Sequence, residues 1–366
     1  CNEGEFIENI DYRLSQNKNE LYKWHCNDSL TDLRPNNILK EVTKLKSYSL
    51  ELGAKCHELF LPEKVEEIER TIVERSTELK TLAFPATITK IDPDAWNKIY
   101  SIKNLYFPKT PPIDISEITN AFALQLAHLK HFYVDAEALD TWKSKFPQSS
   151  PILNKIKGVP QDVTITNQEA DKIIVTVRRL DNNTQYTLDN TQKNITVPRT
   201  TPIRIHIAPR DIYDLQKLVL NDEEQQSTIF QTFLLEDLNV TSRGETIKFQ
   251  LKALQHEGGS IQLTTLDNQS LESTTEVLRG TKIRLQITVA PHYTFKYWTF
   301  NNAIFHCLDT VFEVRQHATF NAVFYRQKAL VDLSEVDNKY RLTLKDEDGT
   351  VVPFDRLFVD DIVFLQ

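Results

Sequence analysis

The chain has 366 residues, enough for two or three domains that each bury a core, and 40% of them are hydrophobic while 26% are charged. No apolar run approaches the roughly 18 to 20 residues that a membrane-spanning helix needs. The net charge of −8, with nine acids against four bases in the last 38 residues, disfavours nucleic acid and anionic lipid as partners, because both bind clustered cations.

The sequence contains no Met and starts at Cys1. We expect Cys1 to be the lipid-bearing residue left when a lipoprotein leader is cleaved, so that the chain meets a membrane through acyl chains, each buried CH₂ contributing about 0.8 kcal/mol. Residues 1–32 read as an N-terminal tether and cap. Cys26, Cys56 and Cys307 show neither CxxC nor His/Cys spacing of the zinc type. They read either as buried apolar thiols or as a Cys26–Cys56 disulfide with Cys307 left over.

From residue 33 a phrase recurs. "LFLPEKVEEIE" starts at Leu59, "LAFPATITKID" at Leu82 and "LYFPKTPPIDI" at Leu105, so Pro62, Pro85 and Pro108 stand 23 residues apart. A period of about 20 to 29 residues marks a leucine-rich solenoid. Each turn supplies a short strand whose side chains alternate between faces. Leu59/Leu61, Leu82/Phe84 and Leu105/Phe107 then point into the stack, and each Pro, lacking a backbone donor, marks the corner where the turn leaves the sheet. A fourth turn follows a three-residue insertion, with Ala121-Phe122 and then the strand Phe132-Tyr133-Val134. In "DAEALDTWKSKFP", Asp135 reads as a helix N-cap, Leu139, Trp142 and Phe146 recur at helical spacing, and Pro147 stops the run. Such a helix caps the open end of a solenoid, as repeat folds require.

The phrase "LKTLAFPATITKIDPDAW" together with "FYVDAEALDTWKSKF" resembles the BspA-like leucine-rich repeat proteins of Bacteroidota over residues 33 to 146. The resemblance implies repeats that end in a strand followed by a short helix. The chain departs from the pattern at Ile72-Val73, where the family usually has Ala-Phe, and in the turn after Pro108. The resemblance also implies adhesion or host interaction. Glu3 and Glu5 look like the acidic surface-export signal of such lipoproteins.

Beyond "KGVPQDV" the period changes. "VPRTTPIRIHIAP" at Val197 and "VLRGTKIRLQITVAP" at Val277 align at an offset of 80, with Ile203/Ile283, Ile205/Leu285, Ile207/Ile287, Tyr213/Tyr293, Leu218/Trp298 and Asn221/Asn301 matching. Apolar and polar residues alternate at the strand period, and turn signals separate the runs, so two tandem all-β sandwich-like modules are expected. "GTKIRLQITVAPHYTFKYWTFNN" followed by "ATFNAVF" resembles the bacterial surface repeat related to internalin B-repeats. The expected organisation is 1–32 tether and cap, 33–157 solenoid, 158–243 β module 1, 244–327 β module 2 and 328–366 a C-terminal β segment. In that last segment "YRLTLKDEDGTVVPF" reads as strand, Asp-Gly turn and strand. It either adds strands to the second module or begins a third. The fold class is therefore mixed, mainly β.

No nucleophile with its base, paired carboxylates or metal set stands out, and the chain reads as no enzyme and as needing no cofactor. His128 and His131 read as surface residues rather than ligands, and "DEDG" at Asp346 reads as a hairpin turn, since the later calcium ligands are missing. Trp298 reads as core. The outer face of the solenoid sheet is the informative surface: strand parity places Phe60, Ala83, Tyr106 and Tyr133 in one outward row and Glu58, Thr81, Asn104 and His131 in the next. With strands about 4.8 Å apart, a row with three aromatic residues either meets a ligand or lies under the N-terminal segment or the neighbouring β module. The candidate ligand-binding residues are thus Phe60, Tyr106, Tyr133, Glu58, Asn104 and His131, and the expected partner is a protein or a glycan. The leading expectation is a surface-exposed lipoprotein of the outer membrane. The alternative is a structural accessory subunit of an outer-membrane assembly.

Overall fold

The proline-terminated phrases form short parallel strands stacked in register. In the computed structural model, which describes residues 6–26, 28–73, 77–109, 112–329, 342–358, 361 and 363–365, Glu58–Phe60, Thr81–Ala83, Asn104–Phe107 and His131–Asp135 pair side by side, with Leu59, Leu82, Leu105 and Phe132 in one row. Leu30–Asp32 joins at one edge and Ile156–Val159 at the other, completing a six-stranded sheet. Cys1, Glu3 and Glu5 lie outside the described residues.

A second sheet runs along the opposite side of the turns. Lys44–Leu45, Glu67–Ile68 and Lys90–Ile91 stack in parallel. The turns after Pro62 and Pro85 therefore carry a second two-residue strand where a short helix was expected. Among the described residues of these turns, only the irregular one after Pro108 has a helix, Ile115–Ala121, capped by the Asp114 carboxylate, which accepts from Ser116 N at 3.1 Å. The inserted residues in that turn supply the length that a helical turn needs.

Between the two sheets the core is closed by aliphatic and aromatic side chains. Leu59, Leu82, Leu105, Phe84, Phe107 and Phe132 are all buried. Phe84 stacks on Phe107 with ring centroids 4.4 Å apart, and Phe107 stacks on Phe132 at 5.3 Å. Offset stacking of this kind adds about 0.5–1.5 kcal/mol per pair beyond area burial. One end of the solenoid is closed by an antiparallel meander, Phe6–Glu8, Tyr12–Ser15 and Glu20–Cys26. The other end is closed by Ala136–Ala138 and the helix Leu139–Lys145, whose Trp142 packs on Phe107 and Phe132. Asp135 stands at the start of this segment, but its side chain makes no capping bond; its carboxylate is engaged elsewhere, as described below.

By backbone proximity the chain divides into two compact units, Cys1–Ala208 with Leu215–Arg243 and Pro209–Asp214 with Gly244–Gln366. The first holds the solenoid and most of β module 1. In module 1, a five-stranded sheet ordered Asn194–Pro198, Asp162–Asn167, Leu238–Thr246, Tyr213–Leu220, Glu223–Gln225 faces a four-stranded sheet ordered Gln185–Leu188, Ile173–Arg179, Pro202–Pro209, Ile229–Phe233. Module 2 repeats the plan. Lys248–Ala253 and Ala318–Arg326 pair in parallel within its five-stranded sheet, and Gly259–Thr265, Lys282–Val289 and Asp309–Glu313 form its three-stranded sheet.

Alternation in "KIRLQI" buries Ile283, Leu285 and Ile287, and Trp298 is 3% exposed with its indole donating to Cys307 O at 2.9 Å. In the tail, Asp346 accepts from Asp348 N and Thr350 N while Gly349 holds φ +80°, a hairpin turn. Its strand Leu344–Lys345 pairs with Phe364–Leu365 in a separate two-stranded sheet.

Leu82 sits at the centre of the solenoid core, so Leu82→Ala should cost about 2–5 kcal/mol of stability. Urea unfolding followed by the fluorescence of the buried tryptophans measures that loss.

Candidate functional site

The register places the sequence-derived residues where strand parity put them: Phe60, Ala83, Tyr106 and Tyr133 share one row, and Glu58, Thr81, Asn104 and His131 share the next. The first row, however, is closed. Phe60, Tyr106 and Tyr133 are 4%, 2% and 4% exposed, so the expectation of an open aromatic surface is corrected. The cover is β module 1, whose edge strand Ile229–Phe233 lies against the solenoid sheet.

Four groups of contacts help to hold this cover in place. Phe233 meets Phe60 edge-on at 5.4 Å, and Phe60 meets Tyr106 at 5.8 Å. The Arg34 guanidinium sits 3.7 Å above the Phe60 ring centroid, a cation–π contact. Arg34 is held there by Asp32 at 2.8 and 2.7 Å, and it donates across to Thr200 Oγ1 and Thr200 O, both at 2.9 Å. Glu58 accepts from Thr232 Oγ1 and from the Phe233 backbone N–H, each at 2.8 Å.

The fourth group gathers charge around Asp135. Its carboxylate accepts from Tyr106 OH at 2.6 Å and from Lys109 N at 2.9 Å, and Arg199 of module 1 stands 3.1 Å away. Arg199 also forks onto Glu137 and donates to Val159 O at 3.2 Å. Its hydrogen bonds hold the Glu137 carboxyl down at about 2. Burial, reinforced by Asp135, pushes the Tyr106 phenol well above its ordinary value. Asp135, which reads in the sequence as a helix cap, is thus a buried acceptor shared by both parts of the unit. Nothing in "DAEAL" distinguishes the two roles, since the decisive partner lies some 60 residues away.

The second row opens onto a cleft of about 790 Å³ between the strand starts of the solenoid and the edge of module 1. Glu58, Thr81, Asn104 and His131 line one side, with Lys80, Lys130 and Lys157 around them; Glu223, Phe230, Gln231 and Glu236 line the other. Lys130 pairs with Glu223, and Lys157 with Glu236 at 3.4 Å. His131 Nδ1 lies 2.9 Å from Tyr133 OH, and burial together with the Lys157 charge keeps its imidazole below the usual value. Removal from water raises the Glu58 carboxyl to about 7, against the pull of its two hydrogen bonds. Three of the six candidate residues, Glu58, Asn104 and His131, therefore border an accessible cleft, whereas Phe60, Tyr106 and Tyr133 form the buried floor beneath the module.

Cys26 and Cys56 are free and buried, with both thiols shifted upward by burial, and Cys307 is exposed and free. Among the described residues no three His, Cys, Asp or Glu side chains gather as metal ligands. Among the described residues no helix is long and apolar enough to cross a membrane.

Two measurements probe the cover. Arg199→Ala leaves the 2%-exposed Asp135 without its cation and should cost about 3–5 kcal/mol, as for other broken buried pairs; increased binding of a hydrophobic dye would report the uncovered aromatic row.

Glu58 binds its proton more tightly in the folded chain than in the unfolded one, so its contribution to stability is complete below its unfolded value of 4.5 and is lost as pH rises through about 7. His131, depressed in the fold, has the opposite slope. The expected outcome is a Tm difference between the native chain and Glu58→Gln that changes between about pH 5 and pH 8, with the native chain losing stability relative to the variant as pH rises.

Comparison with known proteins bears on the solenoid. No curated protein matches the chain. Among solved structures, the crystal structure of the pneumococcal vaccine antigen PcpA is similar over 42% of this chain and 47% of that chain, less than half its length, with 19% identity and a TM-score of 0.20. The family model of the BspA type leucine-rich repeat region matches residues 22–150, in six copies.

Proposed function

We propose that this chain is a non-enzymatic recognition protein of the bacterial cell surface, held at the outer membrane by lipid on Cys1, that binds a protein or glycan ligand. The observation that carries this reading is the cleft of about 790 Å³ bordered by Glu58, Asn104 and His131 on a leucine-rich sheet. A rigid repeat scaffold that presents polar side chains around a concavity is suited to binding. Its polar groups are spent on ion pairs and hydrogen bonds rather than arranged as a nucleophile and base. The match of residues 22–150 to the BspA type repeat supports the same reading by analogy.

A second reading, an accessory subunit of an outer-membrane assembly, draws on module 2. Ile304, Phe305, Leu308 and Val311 are 58%, 37%, 45% and 51% exposed on its two edge strands and the turn between them. Eighty residues earlier the matching positions of module 1 are Glu224, Gln225, Thr228 and Gln231. Apolar side chains exposed together mark contact surfaces.

Protease treatment of intact source cells should remove the chain, and metabolic labelling with a fatty-acid analogue should tag it at Cys1. A chain that is protected and unlabelled would remove the surface reading. Cross-linking in native membranes that captures one stoichiometric partner, lost in Ile304→Glu, would favour the accessory subunit.

A further inference from the structure

Module 2 ends on an open edge. Among the described residues Ala303–Phe305 is the last strand of the five-stranded sheet and pairs only with Tyr293–Phe300. Its backbone is set up to accept another strand. Asn301 and Asn302, at φ 44° and 73°, make the two-residue turn of a tight hairpin. Phe300 and Ala303 flank that turn and exchange the first pair of ladder bonds, so the antiparallel alternation leaves the Ile304 N–H and C=O pointing away from Thr299, toward the open side. Phe305 turns inward and stacks on Trp298 with ring centroids 4.4 Å apart, whereas Ile304 lies on the outer face and is 58% exposed.

The duplicated module shows a guarded version of the same edge. Glu223–Gln225 pairs with Leu218, Val219 and Leu220 in the matching register, and the residue in the place of Ile304 is Glu224, tied to Lys217 and Arg243. Residues 221–228 include three acids, whereas residues 301–308 contain no Asp, Glu, Lys or Arg. Charged side chains on an edge strand resist pairing with another chain, and an apolar edge invites it. Asp309, the first carboxylate beyond the stretch, is already matched by Arg284 at 2.9 and 3.2 Å.

An edge of this kind suits a partner identical to itself. In a twofold contact the same patch meets itself, so any fixed charge near the axis faces its own sign; the uncharged stretch avoids that repulsion. We infer that two copies of this chain associate by antiparallel pairing of their Ala303–Phe305 edges about a twofold axis at Ile304. Each Ile304 N–H then donates to the other copy's Ile304 C=O, the two Ile304 side chains meet on the outer face, and the two five-stranded sheets become one. Three residues offer few hydrogen bonds, so removal of the exposed Ile304 side chains from water supplies much of the association. This assignment rests on the contact-surface reading of module 2 given above and names its occupant.

Sedimentation velocity of the full chain over a micromolar concentration series tests it. A monomer–dimer equilibrium is expected, weakened at least about tenfold in Ile304→Lys, with Tm unchanged because that side chain already faces solvent. In a Cys307→Ser background, Ile304→Cys should give a disulfide-linked dimer on mild oxidation, since opposed hydrogen-bonded residues stand about 5.5 Å apart at Cα, within disulfide reach. Thr274→Cys, on the far edge of the same sheet, should not. A chain that is monomeric at every concentration, or a dimer that survives Ile304→Lys, overturns the assignment. Should the purified chain stay monomeric while Ile304→Glu abolishes capture of a different membrane protein, the second copy is ruled out and the accessory-subunit reading stands.

Discussion

The first unit depends on one desolvated seam, where the edge of a β module lies on the exposed side of a leucine-rich sheet. Its apolar part is the Phe60–Phe233 edge-on contact with Arg34 above it. Its polar part is Asp135, shared by Tyr106, Lys109 and Arg199. Burying a carboxylate and a guanidinium is costly unless each finds partners, and here every charged group in the seam has at least one. Such groups reward only one placement of the module: a shift along the strands would separate Asp135 from Arg199 and Glu58 from Thr232 and the Phe233 N–H.

That placement divides the sheet face into two regions of different character. Where the module touches, Phe60, Tyr106 and Tyr133 become interior residues on the sheet face opposite the stacked Phe84 and Phe107. Where it overhangs, the strand starts remain accessible and the opposing surface is polar. The cleft thus follows from two folded parts of one unit that meet along part of their faces, and its lining comes from two stretches of sequence that share no local pattern.

The duplicated modules show how one plan takes on different surfaces. The inward positions keep their size and apolarity, as Ile203/Ile283 and Ile205/Leu285 do, because close packing penalises change there. The edges diverge. Module 1 has Gln231 and Thr232 where it meets the solenoid, and module 2 has Val311 and Phe312 at the same positions, with Phe312 turned onto Phe320. Edge strands are free to vary because core packing does not constrain them.

Much of this architecture was legible in the sequence because the interactions that specify it are periodic. A 23-residue repeat of aliphatics and prolines determines the stack, its register and which side chains share a row, and alternation over Ile203 to Ile207 determines the sandwich strands. The two-residue strands Glu67–Ile68 and Lys90–Ile91 were missed, since they are too short to show a period of their own. Only the tertiary structure decided which rows are open. Whether Tyr106 faces water or a neighbour depends on Arg199, Thr232 and Phe233, contributed by a turn and a strand 90 or more residues further along, and a contact between non-periodic side chains at that separation leaves no trace in local sequence.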